Sequence, residues 1–170
     1  VEEKRDQGAL VLFDPNVRPA YLSDRASYRA IVDKWLGISD VVKASSEDIG
    51  WLYPERSEDA VVEKWSGMGV KLVVVTYGGN GMVGYASGSK VSVPGIEVSL
   101  VDTVGAGDTV GAVLLELMMY EGFDSLLRGN LHSVLHRASV AAGITCSRQG
   151  ANPPTLTELN QFFDSAKRGS

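Results

Sequence analysis

Lys71–Tyr77 (KLVVVTY) is the most strand-like segment of this sequence, β-branched through its centre and bounded by Gly69 and Gly78. A second run, Ala9–Asp14 (ALVLFD), is almost wholly apolar, the pattern of a strand covered on both faces in a parallel sheet; Asp14-Pro15-Asn16 ends it. Parallel strands need crossover helices, and the intervening segments supply them. Over Ser23–Leu36, residues Ala26, Ala30, Ile31, Trp35 and Leu36 fall close to one helical stripe, with Ser23 or Asp24 as its cap. Ser39–Lys43 (SDVVK) reads as the next strand, followed by a short helix over Ser46–Leu52 with an acidic first turn and a Pro54 stop. Glu58–Ser66 is a further helix, ended by Gly67.

Past the central run the pattern changes. Met82–Ser87 and Lys90–Val93 read as a hairpin joined at Gly88-Ser89, which adds antiparallel strands to an otherwise parallel sheet. Ala106–Tyr120 is apolar nearly all round, which predicts a helix buried through the middle of the fold. Helices over about Ser125–Cys146 and Thr155–Ser165 complete a doubly wound α/β pattern. Val1–Gly8 reads as the charged end of a helix running straight into the first strand, as in a chain that begins in mid-fold.

Composition narrows the partners. With 16 Lys and Arg against 21 Asp and Glu, a net charge of −5 and no basic run, the chain lacks the face that phosphate backbones require, so no nucleic-acid partner is expected. Cys146 is the one cysteine, which excludes an intramolecular disulfide and a Cys-cluster zinc site and fits a reducing, cytoplasmic setting. The very apolar stretch Val110–Tyr120 contains Glu116 and is too short to span a bilayer. The expectation is a soluble protein, without a membrane partner, that acts on a small molecule.

The sharpest chemical feature is Asp102-Thr103-Val104-Gly105-Ala106-Gly107-Asp108-Thr109, a Gly-rich turn after the strand-like Val98–Val101 and before the apolar helix. Small residues let backbone N–H groups converge, and a helix N-terminus attracts anions. No G-x-x-x-x-G-K-[ST] occurs, so this phosphate cradle is not a P-loop. Asp108 sits where an ionised carboxylate could take a hydroxyl proton beside a transferring phosphoryl group. The same residues also suit a plain helix cap on a tight turn.

This octapeptide resembles the signature of the PfkB/ribokinase family of carbohydrate kinases, and the likeness runs along the whole chain as the second half of a fructokinase-like or 2-keto-3-deoxygluconate-kinase-like member. The resemblance implies a ribokinase-like fold: a doubly wound, mostly parallel sheet with helices on both faces and a small antiparallel edge. It implies ATP and Mg2+, a sugar acceptor, Asp108 as catalytic base and Gly105-Ala106-Gly107 as anion hole. Thr76-Tyr77-Gly78-Gly79-Asn80-Gly81 is similar to the family's T-x-G-x-x-G loop, in which Thr76, Gly78 and Gly81 would approach the nucleotide phosphates; a simple hairpin entry would look alike. Lys43–Asp48 (KASSED) lies where the family has N-x-x-E, so Ser45 and Asp48 would stand for Asn and Glu, with Glu47 as a competing acid for Mg2+ held through water. Both acids also fit an ordinary first helical turn. Arg18, in a segment resembling D-P-N-x-R-P, would face a phosphate or an acidic sugar; Pro15 and Pro19 equally fit a plain strand-end loop.

A monovalent cation such as K+ often sits beside the family's anion hole, with Asp102 and Val104 as first contributors here and the Arg148–Asn152 loop as a later one; Gly150 would approach the nucleotide. Ala138–Gly143 and Ser147–Ala151 are similar to the helix and turn that wall the adenine pocket, although close helix packing needs the same small residues. The family's sugar clamp, hinge and β-lid belong to a first half that does not precede Val1. The 170 residues are therefore expected to be the C-terminal ATP-binding and catalytic portion of one ribokinase-like domain, inactive or nearly so alone. Family members often pair through the lid strands, so the resemblance implies that the full-length enzyme can form a homodimer, while this chain is expected to lack the lid and expose a sheet edge. The alternatives are a nucleoside kinase of the same fold and a non-catalytic nucleotide-binding scaffold. A literal G-x-G-x-x-G over Gly79–Gly84 is discounted as a dinucleotide fingerprint because Met82–Ser87 reads as a strand. His132 and His136, four apart, lack the Glu and third ligand of a metal site, and Trp35, Trp51 and Trp65 read as packing residues.

Overall fold

The computed structural model describes residues 1–120, 123–125, 127 and 130–168. The chain divides into two compact units, Val1–Gly78 with Met82–Ser92, and Gly79–Gly81 with Val93–Ser170.

The first unit is built on a five-stranded sheet, β1 (Leu12–Phe13), β2 (Val41–Ser45), β3 (Leu72–Thr76), β4 (Met82–Ala86) and β5 (Ser89–Val93), in that spatial order. β1, β2 and β3 run parallel, with Leu12 opposite Val41 and Val42 opposite Val73, whereas β4 is antiparallel and sets Met82 opposite Thr76. Successive residues of β2 and β3 point to opposite faces, yet Val41–Ala44 and Leu72–Val75 are all buried, so both faces of the sheet centre are covered. Helices α1 (Glu2–Asp6), α2 (Arg25–Leu36), α3 (Ser46–Leu52) and α4 (Glu58–Gly67) belong to this unit. Val32 and Leu36 of α2, Ile49 and Leu52 of α3, and Val61 and Trp65 of α4 share one core with Val42, Ala44, Val73 and Val75. The starts of α2, α3 and α4 are each fixed by their own sequence. Asp24 accepts from the Ala26 and Ser27 N–H groups, Ser45 and Asp48 form a reciprocal capping box, and Ser57 accepts from the Ala60 N–H. The Tyr53 hydroxyl, 2.7 Å from Asp33 and 3.3 Å from the Trp65 indole nitrogen, ties α2 to α4, and burial pushes its pKa up to about 12.

The second unit contains α5 (Ala106–Tyr120), α6 (Phe123–Ser125), α7 (Leu131–Cys146) and α8 (Leu156–Arg168). α5 and α7 lie along one another and bury Val110, Val113, Leu114, Val134, Leu135, Ala138 and Ala141. No helix among the described residues is long and apolar enough to cross a membrane.

Several sequence expectations need correction. Only Leu12 and Phe13 of Ala9–Asp14 join the sheet, because the Ala9 N–H bonds the Lys4 carbonyl at the end of α1 and the Val11 N–H bonds the Asp40 carboxylate at 3.0 Å. The β2 ladder starts at Val41 rather than Ser39, whose hydroxyl instead donates to the Trp35 carbonyl at 2.7 Å. The hairpin turns at Ser87-Gly88, both with positive φ (49° and 77°), as a two-residue turn of that handedness requires. Val98–Val101 is not a strand. Its final N–H groups do not enter a ladder, since Val101 and Asp102 both donate to the Cys146 carbonyl, at 2.9 and 3.2 Å. α5 is not buried all round: Met119 and Tyr120 are 80% and 81% exposed. Within the helix expected over Ser125–Cys146, α7 begins at Leu131, while Leu126, Arg128 and Gly129 lie outside the described residues.

Candidate functional site

In the second unit the chain reaches α5 through a turn held by one carboxylate. Asp102 Oδ1 accepts from the Val104 N–H at 3.0 Å and Oδ2 from the Gly150 N–H at 2.9 Å, which holds the carboxyl below the usual range, the Val104 bond being the largest cause. Gly105 then takes φ +81°, and a Cβ there would stand 2.8 Å from the Ala151 Cβ, so glycine is required twice over. α5 begins at Ala106, whose N–H reaches the Thr103 carbonyl at 3.3 Å. The Thr109 N–H and hydroxyl both bond the Gly105 carbonyl, at 2.9 and 2.8 Å. Among the described residues, nothing accepts from the N–H groups of Gly107 and Asp108. They are first-turn donors at the positive end of a 15-residue helix, and the exposed Asp108 carboxylate stands in the same turn. Such an arrangement can hold an anion and offer a proton acceptor next to it.

In the first unit, β2 and β3 end side by side, with Ser45 opposite Thr76, at the carboxyl edge of the parallel strands where open α/β sheets receive ligands. Asp48 is buried and committed to main-chain donors, accepting from Ser45 at 3.1 Å and from Val17 at 3.0 Å. Glu47 beside it is exposed. The Val17 bond draws the Asp14–Arg18 loop onto the start of α3, and Lys43 Nζ anchors the same loop through Asp14 Oδ2 at 2.5 Å. Arg18 is exposed and donates to the Val17 carbonyl at 3.0 Å. After Thr76, the Tyr77 hydroxyl donates to Glu58, as does that of Tyr85 at 2.7 Å; burial first, then that carboxylate, raises both hydroxyl pKa values. Gly78 takes φ +56° in a single turn over Gly78–Asn80.

In the second unit, Gly79–Gly81 and Val93–Gly95 pass so closely that a Cβ on Gly81 would lie 2.2 Å from the Val93 carbonyl oxygen. Glycine there serves a backbone crossing, and β4 begins at Met82, so Gly79–Gly84 opens no helix. The small residues of α7 have local neighbours too: Gly143 faces Ile96, and Ser139 donates to the Pro94 carbonyl at 2.8 Å. Gly150, at φ +67°, presents its N–H to Asp102. The His132 and His136 rings are 6.3 Å apart, His136 meets Phe163 edge-on, and no group of three potential metal-binding side chains occurs among the described residues. Trp65 packs on Tyr53, Trp35 on Phe13 and Trp51 on Tyr28.

Sequence reasoning missed two features. The first is the Lys43–Asp14 pair, whose signal was a lysine inside an apolar strand, a place where a charge needs a partner. The second is a contact between Thr109 and Thr145, 36 residues apart, for which no local pattern exists.

A helix N-terminus with free N–H groups and a carboxylate in one turn is an arrangement suited to holding an anion such as a phosphate. The chain belongs to the pfkB family of carbohydrate kinases, whose family model matches residues 2–158. It is 42% identical over 153 residues to a fructokinase of Rhizobium leguminosarum bv. trifolii, covering 89% of this chain and 46% of the relative. Among solved structures, a Xylella fastidiosa fructokinase with bound ATP matches with a TM-score of 0.83 at 26% identity, over 98% of this chain and 56% of that one. A Vibrio cholerae fructokinase double mutant, bound to fructose, ADP and potassium, matches with a TM-score of 0.78 at 27% identity, over 93% and 49%. The chain spans about half the length of the relatives it matches.

Proposed function

We propose that this chain is the ATP-binding and catalytic portion of a kinase that transfers the γ-phosphate of ATP to a hydroxyl of a ketose or keto-sugar acid. One observation carries the reading: the free N–H groups of Gly107 and Asp108 and the exposed Asp108 carboxylate occupy one helical turn. As the sugar oxygen forms its bond to the γ-phosphorus, its proton passes to Asp108 and the bond to the ADP oxygen breaks. The N–H groups of the Gly105–Asp108 turn hold the charge that spreads over the transferring oxygens.

Thr76, Gly78 and Gly81 are proposed to meet nucleotide phosphates, with Ser45 as a further contact, and Arg18 to meet the acceptor. Bound Mg2+ would supply charge neutralisation on the β- and γ-phosphates. Glu47, whose carboxylate faces solvent, suits a water-mediated contact to it better than Asp48, whose oxygens already accept main-chain N–H groups. Asp102 and Val104 are proposed to contribute to a monovalent-cation site, for which each Asp102 oxygen keeps a lone pair beside the one that accepts the Val104 or Gly150 N–H. The fructokinase relatives favour a ketose as the acceptor.

Calorimetric titration of Mg-ATP into the folded chain tests the cradle. Saturable binding is expected, and a folded chain that binds none contradicts the assignment. In the whole protein, Asp108→Asn is expected to lower kcat by about 10²–10⁴-fold while ATP affinity and melting temperature stay close to the parent's. Turnover near that of the parent would remove Asp108 from the role of base.

A further inference from the structure

Beneath the cradle, two threonine hydroxyls from α5 and α7 meet. Thr109 and Thr145 are both buried, with their Oγ1 atoms 3.0 Å apart. Thr109 Oγ1 also lies 2.8 Å from the Gly105 carbonyl oxygen, and Thr145 Oγ1 3.0 Å from that of Ala141. There are three contacts and only two hydroxyl protons to fill them. Either Thr145 donates to Thr109 and Thr109 to Gly105, or the chain runs the other way, from Thr109 through Thr145 to Ala141. If each hydroxyl instead served the carbonyl of its own helix, two buried lone pairs would face each other with no proton between, the costliest arrangement.

The direction matters to the cradle. With the protons running toward Gly105, its carbonyl accepts two bonds, from the Thr109 hydroxyl and from the Thr109 N–H at 2.9 Å. A doubly engaged carbonyl polarises its own peptide, which strengthens the Ala106 N–H in its bond to the Thr103 carbonyl and so pins the turn from which the Gly107 and Asp108 N–H groups project. With the protons running toward Ala141, Gly105 keeps only the main-chain bond. Packing alone does not call for this pair, because two valines would fill the same shape without burying hydroxyls.

We propose that Thr145 is a positioning residue for the anion cradle, acting through the Thr109 hydroxyl on the Gly105–Ala106 peptide. The proposal rests on the reading of that cradle as the phosphate site. The test compares Thr145→Val, Thr145→Ser and Thr109→Val in the whole protein, well below their melting temperatures. Thr145→Val is expected to lower kcat about fivefold, the worth of one net hydrogen bond, with the sugar KM unchanged. Thr145→Ser is expected to restore the parent rate, and Thr145→Val to add nothing on the Thr109→Val background. Parent-like turnover in Thr145→Val, equal impairment in Thr145→Ser, or full additivity with Thr109→Val overturns the proposal.

If the parent phosphorylates no sugar, the reading of the site fails, and the proposal is then judged by hydrogen exchange at the Thr109 amide. Faster exchange in Thr145→Val but not in Thr145→Ser supports it, and equal exchange in all three overturns it. Should Thr145→Val not fold, the same comparison is made with Thr109→Val and Thr109→Ser, in which loss by valine and retention by serine is the expected pattern and equal behaviour refutes it.

Discussion

Gly105→Ala tests how tightly the cradle turn is built. Two separable penalties arise. The backbone holds φ at +81°, where an L side chain costs roughly 1–2 kcal/mol. The new Cβ would also fall 2.8 Å from the Ala151 Cβ and 3.0 Å from its Cα, an overlap that the loop relieves only by shifting. Overpacking of this kind costs about 1–3 kcal/mol. Together they predict a loss of about 2–5 kcal/mol, or about 5–15 °C in melting temperature for a chain of this size. Thermal unfolding followed by circular dichroism reads the sum, and adding Ala151→Gly separates the parts, because it removes the Cβ–Cβ overlap and leaves φ unchanged. The double variant is expected to regain about 1–2 kcal/mol relative to additivity. A Gly105→Ala chain that melts within about 2 °C of the parent, or strict additivity with Ala151→Gly, would falsify the reasoning.

The remaining predictions concern charges. Asp14→Asn leaves the Lys43 ammonium buried without its counter-charge and is expected to cost about 3 kcal/mol, with Lys43→Met on the same background recovering part of it; denaturant unfolding gives both numbers. Glu158 accepts from the Thr155 N–H at 2.7 Å and from Arg148 at 2.6 Å, with its carboxyl lowered from 4.5 to about 2, the Thr155 bond first among the causes. A depressed carboxyl contributes stability above its unfolded pKa and loses it as pH falls through the folded one. The contribution of the α8 start should therefore fade between about pH 4.5 and 2, and Glu158→Gln should flatten that limb of an acid melt. An unchanged acid limb in Glu158→Gln would show that other carboxylates control it.

What the sequence revealed depended on how local the cause was. β3 could be read from its valines because a strand covered on both faces has to be apolar at every position, and the cap at Asp24 lies next to the helix it starts. Val98–Val101 misled because β-branched residues suit a strand, while the partner of its N–H groups, the Cys146 carbonyl, is distant in sequence and carries no side-chain signal. The acidic pair after Ser46 looked symmetrical on paper. The capping box with Ser45 and the approach of Val17 separate them, turning Asp48 inward and leaving Glu47 to solvent. The G-A-G-D turn was legible because its chemistry, small residues before a helix, is itself local. The contact behind it between the Thr109 hydroxyl of α5 and the Thr145 hydroxyl of α7 was not.

The bonds from Val101 and Asp102 to the Cys146 carbonyl have a consequence for how this region can evolve. The approach to the Gly105–Asp108 turn is specified by amides and a carbonyl, groups that nearly every amino acid carries. Ser99, Leu100 and Val101 expose their side chains, so substitutions there can accumulate without moving the turn. Proline is the exception, since it has no N–H to give. Selection at Val101 thus acts less on which side chain is present than on the exclusion of a single imino acid.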